Sequence, residues 1–586
     1  MKSKNILYIL VLFVGFVSCE LDEYPKDSIS PETFFRTEAE LKLYSNQFYL
    51  QMPDADALYD EASNLSVKGL ALSDLVLGNT RVIPASGGGW SWGQLRYINY
   101  FLQNTYRCGN EKARSQYEGV AYFWRAYFYF EKLRRFGDVP WYDQPLASDQ
   151  TELLTKPRDS RDVIIDHIIT DLDMAADMLP ETSTAYIVNK YTALALKARA
   201  CLFEGTFRKY HAGKTFNPES LPYEDLLKEA ADAAHRVMTE SKYSLYATGK
   251  TPYRDLFTAE DIISQEVILS RCYAGNIRHM ADAFALIPSK GRAGYTKALT
   301  FSYLMTDGTR FTDKEGHDTM EFADEVKGRD PRFAQTVLTQ NIVYPDGANG
   351  TFSMNNTITG YPIQKYVYGP SYTAGSTVDV PLFRLGEVYL NYAEAKAELG
   401  TLTQNDLDIS INKLRDRVKM AHLSMSEANA NPDNFLMSSN FGYINVDKGK
   451  NCGVILEIRR ERSIELVNEG FRYYDLIRWR EGRLLAQPFY GPYLPGEGKY
   501  DMDGDGKIDL VVYVEKKIVA PGVTPLKIGK DIFLSEGESG YIIAHGDKER
   551  VFNEDRDYLY PIPINERVLT YGHLTQNPGW DDGLTY

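Results

Sequence analysis

The sequence lacks the motifs by which most enzymes announce themselves. Its eight histidines are scattered, with no His-Glu-x-x-His arrangement for a hydrolytic zinc. There is no Gly-x-Ser-x-Gly elbow and no glycine loop running into a basic helix start to cradle phosphate. Carboxylates are plentiful, but none stands out as a glycosidase pair. Cysteine is scarce: Cys19, Cys108, Cys201, Cys272 and Cys452 are the only five. The last four are too widely spaced for a zinc or redox motif. A chain of 586 residues has core enough to do without disulfides, so these four read as buried free thiols. Basic tracts are missing too. Lys and Arg number 65 against 80 Asp and Glu, a net charge of −15, which excludes nucleic acid as a natural partner. Beyond the N-terminus, no apolar run is long enough to cross a bilayer.

The N-terminus itself carries Lys2 and Lys4, an apolar run from Ile6 to Phe16, and Val17-Ser18 before Cys19. The stretch resembles a bacterial lipoprotein signal, with Phe16 in place of the usual aliphatic residue. It predicts removal of residues 1–18 and acylation of Cys19, which would hold the protein at a membrane surface. An ordinary secretory signal with an incidental cysteine is the alternative.

Tyrosine is abundant, 42 residues against 27 Phe and 6 Trp. A flat apolar ring with a hydrogen-bonding tip suits sugar or peptide contacts, and equally suits helix packing. Several segments show helical periodicity. Tyr117 to Phe136 is apolar almost all round, predicting a buried helix closed by Gly137 and Pro140. Asp159 to Leu179, Tyr191 to Phe207 and Tyr223 to Val237 follow. Leu385 to Leu399, capped by Gly400, and Leu407 to Val418 are close enough to form an antiparallel hairpin. The expected fold is mainly α, with tetratricopeptide-like helix hairpins of irregular spacing. Residues 19–586 read as a single domain. Loop-rich insertions are expected at about 240–375 and 485–550, with short strands such as Leu510 to Val514. Within a helix expected over Cys452 to Gly470, Glu457, Glu461, Glu465 and Glu469 fall four apart beside Val454 and Ile458. Carboxylates on an apolar face need partners. Arg459, Arg460, Arg462 and Arg472 are the nearest in sequence, and a partly buried ion network of structural purpose is expected.

Six motifs in order resemble the SusD/RagB family of surface lipoproteins. They are Leu95-Arg96 with Asn99-Tyr100-Phe101-Leu102; Arg125-Ala126-Tyr127 with Phe136-Gly137-Asp138-Val139-Pro140; Arg329-Asp330-Pro331-Arg332; and Phe383-Arg384-Leu385-Gly386-Glu387-Val388 with Tyr392-Ala393-Glu394-Ala395. The fifth runs from Glu461-Arg462 through Glu469-Gly470-Phe471-Arg472 to Arg478-Trp479. The sixth pairs Tyr560-Pro561-Ile562-Pro563 with Gln576-Asn577-Pro578-Gly579-Trp580. The resemblance implies a SusD-like α-α superhelix that binds a nutrient, typically an oligosaccharide or polysaccharide. It also implies delivery to a SusC-type TonB-dependent outer-membrane transporter, with no catalysis. The protein would be cell-surface exposed and held to outer-membrane lipid through its N-terminal anchor. A peptide-binding member of the family, a surface glycoside hydrolase, and a structural cap without ligand are the alternatives.

For ligand contact the segment from Asp74 to Tyr100 stands out, with Asp74, Arg81, Gly87-Gly88-Gly89, Trp90 and Trp92. The glycines let the backbone turn freely and place rings at a surface. Trp90 and Trp92 alternate, so both can face one way. Rings pack on the C–H face of a pyranose while Asp and Arg bond its hydroxyls. Tyr295 and Tyr303 in the looped middle are further candidates. No cofactor is required. Asp501, Asp503, Asp505, Lys507 (through its carbonyl) and Asp509 have calcium-loop spacing, with Gly506 at the sharp turn. Val512 stands where a complete EF-hand has Glu. A structural Ca2+ or a solvated turn both fit this spacing.

Overall fold

A computed structural model describes residues 34–55, 63–70, 72–77 and 80–585 of the chain. Cys19 and the leader lie outside the described residues. Among the described residues no helix is long and apolar enough to cross a membrane.

The scaffold is helical: α1 (Glu38–Ser45), α2 (Gly93–Asn104), α3 (Glu111–Phe136), α4 (Arg161–Met178), α5 (Lys190–His211), α6 (Glu224–Glu240), α7 (Leu385–Glu398), α8 (Gln404–Asp408), α9 (Ile411–Arg417), α10 (Cys452–Glu465), α11 (Arg472–Arg478) and α12 (Ile564–Leu569). Starts and stops follow local chemistry. Asn110 accepts from Ala113 N to cap α3, and Gly137, at φ +71°, ends it. Asn189 and Thr192 form a capping box at α5. Successive helices pack α3 on α4, α4 on α5, α5 on α6, and α6 on α7. This is the expected mainly α arrangement of helix hairpins. Small residues set the closest approaches: a Cβ on Gly119 would lie 2.9 Å from Met178 Cβ, and one on Gly205 2.9 Å from Leu227 Cδ2. The helix expected over Leu407 to Val418 is broken into α8 and α9. Ser410 turns its hydroxyl back to the Asp406 carbonyl and leaves helical geometry at ψ −92°.

Bidentate ion pairs fasten one helix to the next. Arg125 of α3 grips Asp171 of α4 at 2.7 Å twice. Arg161 of α4 holds Glu204 of α5 at 2.8 and 2.7 Å. Arg199 of α5 reaches Glu387 of α7 at 2.7 Å twice. Such planar forks are the geometry in which a charged pair repays its removal from water.

The loop-rich segments build their own core. It gathers Tyr253, Phe257, Tyr295, Phe333 and Tyr361 from the first, with Leu494, Leu510 and Ile542 from the second. It joins the helical scaffold through Ile464 at the end of α10 and Val467 beyond it. Besides four two-residue strands, the described residues form β1 (Val267–Arg271), β2 (Val380–Arg384), β3 (Phe489–Leu494), β4 (Gly498–Tyr500), β5 (Leu510–Tyr513), β6 (Pro525–Lys527), β7 (Phe533–Leu534) and β8 (Gly540–Ala544). β1 pairs antiparallel with β2. One three-stranded sheet runs β7-β8-β3 and another β6-β5-β4.

The carboxylate column is a buried ion network, but its partners are not the sequence neighbours. Glu461 meets Arg415 at 2.6 Å and Arg332 at 3.0 Å. Glu465 meets Arg417 at 2.5 Å, Arg384 at 2.8 Å and Arg332 at 3.2 Å. Only Glu457 pairs with an arginine expected from proximity, Arg460 at 3.0 Å. Arg459 and Arg462 turn to Glu398 and Asp475, and Arg472 to Asn64. Glu469 lies beyond α10, in a left-handed turn with φ +58° at Asn468 and +80° at Gly470. From there it takes Arg384 and Lys365, each at 2.7 Å. Burial would raise Glu465, yet Arg417, Arg384 and Arg332 outweigh it and hold the carboxyl far below its ordinary range. The motif residues Arg332, Arg384, Glu461, Glu465 and Glu469 are thus members of one buried cluster.

The four described cysteines are free thiols. Cys108 and Cys201 are buried as expected, whereas Cys272 is exposed and Cys452 half-buried.

Candidate ligand-binding cleft

The glycine loop is pressed against the C-terminal end of α3. Gly87, Gly88 and Gly89 take φ values of +75°, +58° and +88°, open to glycine at little cost. A Cβ on Gly89 would sit 2.7 Å from Arg135 Nε, and one on Gly88 2.8 Å from Pro84 Cγ. Arg135 Nε donates to the Gly88 carbonyl at 3.0 Å, and Lys132 Nζ donates to that of Gly89. Burial, then the charge of Arg135, pushes Lys132 down to about 8.

This anchoring turns Trp90 inward, contrary to the expected surface display. Only 6 % exposed, it meets Phe136 edge to face at 4.9 Å. Trp92 is half-buried and packs on Phe128 at 5.6 Å and Tyr142 at 5.7 Å. The alternation does bring both rings to one place, the floor of a cleft of about 340 Å³. That is near the lower end of the ~300–1,000 Å³ typical of ligand pockets.

The walls come from three distant segments: Arg96 and Asn99 of α2, Tyr142 and Gln144 after α3, and Glu566 and Thr570 at α12. Asn99 is committed to the wall, donating to the Tyr142 carbonyl at 2.9 Å. Arg96 is exposed and Glu566 half-buried. Burial raises the Glu566 carboxyl. The open side of Trp92, held in place by Trp90, with an arginine donor and a carboxyl acceptor around one space, can stack a pyranose and bond its hydroxyls. Arg96 and Asn99 were visible as a motif. Tyr142, Gln144, Glu566 and Thr570 carry no local signal and were missed.

The remaining candidates lie elsewhere. Asp74 is exposed and accepts from Thr80 Oγ1 at 2.9 Å. Arg81 is a structural pin, donating to the Asp557 carbonyl at 3.0 Å with its carboxylate 3.6 Å away. Tyr295 and Tyr303 are both 0 % exposed, which corrects their reading as ligand contacts. Tyr295 sits in a two-residue strand pairing with Ser66 and Val67, and Tyr303 packs on Phe333 at 5.0 Å. Both rings fill the second core.

The 501–509 segment closes the β4–β5 hairpin. Carboxylate oxygens of Asp501, Asp503 and Asp509 lie within 4.8 Å of one another. Asp505 turns away to Lys507 Nζ at 2.7 Å and Asn341 at 3.2 Å, so three of the four expected carboxylates remain together. Asp501 is braced by the amides of Gly504 and Gly506 at 2.8 and 2.7 Å. Val512 is fully buried in β5, and the strand replaces the helix that would present an EF-hand glutamate. Burial raises Asp509 to about 6, with Asp503 and Asp501 adding to it.

A family model described as "SusD family" matches residues 287–580. A second, described as "Starch-binding associating with outer membrane", matches residues 92–202. The SusD-like protein P2 of Formosa agariphila is 22 % identical over 99 % of this chain and 100 % of its own. A SusD-like protein from Bacteroides fragilis shares the fold with a TM-score of 0.69 at 21 % identity, covering 95 % of this chain and all of its own. A SusD-like carbohydrate-binding protein of the same organism superposes with a TM-score of 0.68 at 21 % identity, covering 92 % and 99 %.

Proposed function

The chain belongs to the SusD family, and on that premise we propose that it is a non-catalytic surface lipoprotein that captures a saccharide. Acylated Cys19 would anchor it to the outer membrane, and a SusC-type TonB-dependent transporter would receive the cargo. The observation that carries the binding role is the joint floor of Trp90 and Trp92 beside Arg96 and Glu566. Among the described residues that line the cleft, Glu566 is the only carboxylate, whereas glycoside hydrolysis ordinarily needs two. That supports capture without cleavage. The test is titration of purified protein with neutral oligosaccharides, followed by tryptophan fluorescence and calorimetry. A saturable response lost in Trp92→Ala supports the cleft. Steady release of reducing ends by pure protein would overturn the non-catalytic reading.

We also propose a structural calcium ion at Asp501, Asp503 and Asp509. Carboxylates clustered within 4.8 Å, with Asp503 and Asp509 raised in proton affinity by burial, are a feature that a divalent cation would relieve.

A further inference from the structure

A second group of rings lies away from the tryptophan cleft, on the β3–β8 sheet. Tyr541 stands opposite Tyr493 in the register, and Ile543 opposite Tyr490. Phe489, Leu494, Ile542 and Ala544 point into the protein and are buried. Tyr490, Tyr493 and Tyr541 share the other face and remain half-buried, as does Phe441 beside them. The ring centroids run Phe441 to Tyr490 at 5.9 Å, Tyr490 to Tyr541 at 5.4 Å, and Tyr541 to Tyr493 at 6.2 Å. Their planes meet at 55°, 62° and 80°. Rings packed edge-on rather than stacked do not cover one another's faces.

Two further observations define what this face would take. A tyrosine kept for packing usually finds a hydrogen-bond partner for its hydroxyl. None of these three hydroxyls has one among the described residues, so each tip is left to solvent or to a ligand. Burial first, then the carboxylates of Asp318, Glu325 and Glu536, pushes the Tyr541 hydroxyl up to about 12. The buried Lys297 ammonium lies 4.4 Å from its ring centroid and is paired with the buried Glu325 at 3.5 Å, so the charges open to a ligand here are two carboxylates. Asp318 and Glu536 are exposed. They would accept hydrogen bonds from sugar hydroxyls and repel a uronate or sulfate.

We propose that this face is a second saccharide-binding surface, separate from the tryptophan cleft and selective for uncharged pyranose units of a polymeric glycan. It rests on the saccharide reading given above. A ring under each of several sugar units adds area to a chain already held at the cleft, and binding at two linked points strengthens capture of long polymers more than of short ones.

The test is affinity electrophoresis of the full chain through gels containing xylan, galactomannan, mixed-linkage β-glucan, starch or polygalacturonate. The variants are Tyr490→Ala with Tyr493→Ala, Tyr493→Ala alone, and Trp92→Ala, each checked by thermal melting. Wild type should be retarded by at least one neutral polymer and not by polygalacturonate. Loss of rings should weaken that retardation about tenfold in the double variant and less in the single one. Retardation equal to wild type in a folded tyrosine variant overturns this surface while leaving the saccharide reading intact. So does a preference for polygalacturonate. A wild type that binds none of these polymers, even as short oligosaccharides in solution, overturns the saccharide reading and this surface with it.

Discussion

Trp90 and Trp92 meet edge to face, their ring centroids 5.3 Å apart at an angle of 73°. They are two residues apart in the chain and share one cleft, but they differ in burial. Trp90 is locked against Phe136 and is part of the core; Trp92 keeps an open side. Their truncations should therefore separate. Trp90→Ala is expected to destabilise the fold by about 3–5 kcal/mol, read as a lower denaturation midpoint. Trp92→Ala should cost less stability and lose most saccharide binding. Equal effects of both on stability, with binding retained, would remove Trp92 from the site.

Arg96 and Glu566 supply the polar side of that cleft. Arg96→Ala should weaken saccharide binding roughly tenfold, as loss of a charged hydrogen bond of about 1.5 kcal/mol does. The melting temperature should stay within a degree or two, because the side chain is exposed. Calorimetry beside thermal melting distinguishes this from a structural role.

Glu465 is the hub of the buried charge cluster. Glu465→Gln leaves Arg417, Arg384 and Arg332 without their shared carboxylate, and a loss of about 3–5 kcal/mol is expected. Chemical denaturation would show it as a lower midpoint with an unchanged slope. A variant as stable as wild type would mean that the network contributes nothing net.

His211 is a second electrostatic liability. It is stacked on Phe207 at 4.1 Å and its Nε2–H donates to the Ile477 carbonyl at 2.9 Å. Burial pushes it down to about 3 from 6.5. In that interval the unfolded chain holds a proton that the folded one refuses, so stability rises with pH. Expressed the other way, the His211 contribution is complete above pH 6.5 and is lost as pH falls toward 3. The melting temperature should decline from pH 7 to pH 5, and His211→Gln should flatten the decline.

The three-carboxylate loop predicts a response to cations. Millimolar Ca2+ should raise the melting temperature by a few degrees, and Mg2+ by less, since calcium tolerates irregular oxygen cages. Asp509→Asn should abolish the shift. Asp505→Asn should leave it unchanged, because Asp505 faces Lys507 and Asn341 rather than the other carboxylates.

Much of the scaffold was legible from residue order. The apolar circumference of 117–136 predicted a buried helix, and the helix found, Glu111–Phe136, is buried along most of its length. The start of that helix after Asn110 was not foreseen, whereas Gly137 marked its end because capping is a contact within a few residues. The columns at 457, 461 and 465 announced buried charge for the same reason. The alternation of Trp90 and Trp92 gave no sign of the depth to which Trp90 sinks.

Helix, cap and turn were decided by the sequence itself, since they depend on neighbours about four residues away that travel with the chain. Partnership was decided only in three dimensions. Glu469 finds Arg384 and Lys365 at separations of 85 and 104 residues, although nearer arginines were available. Tyr295 and Tyr303 look like ligand contacts in a loop-rich stretch and become core because a second insertion, some two hundred residues on, folds over it. The cleft owes its walls to residues near 96, 142 and 566. A side chain's identity is local, but its burial and its neutralisation are set by whichever distant segment arrives beside it.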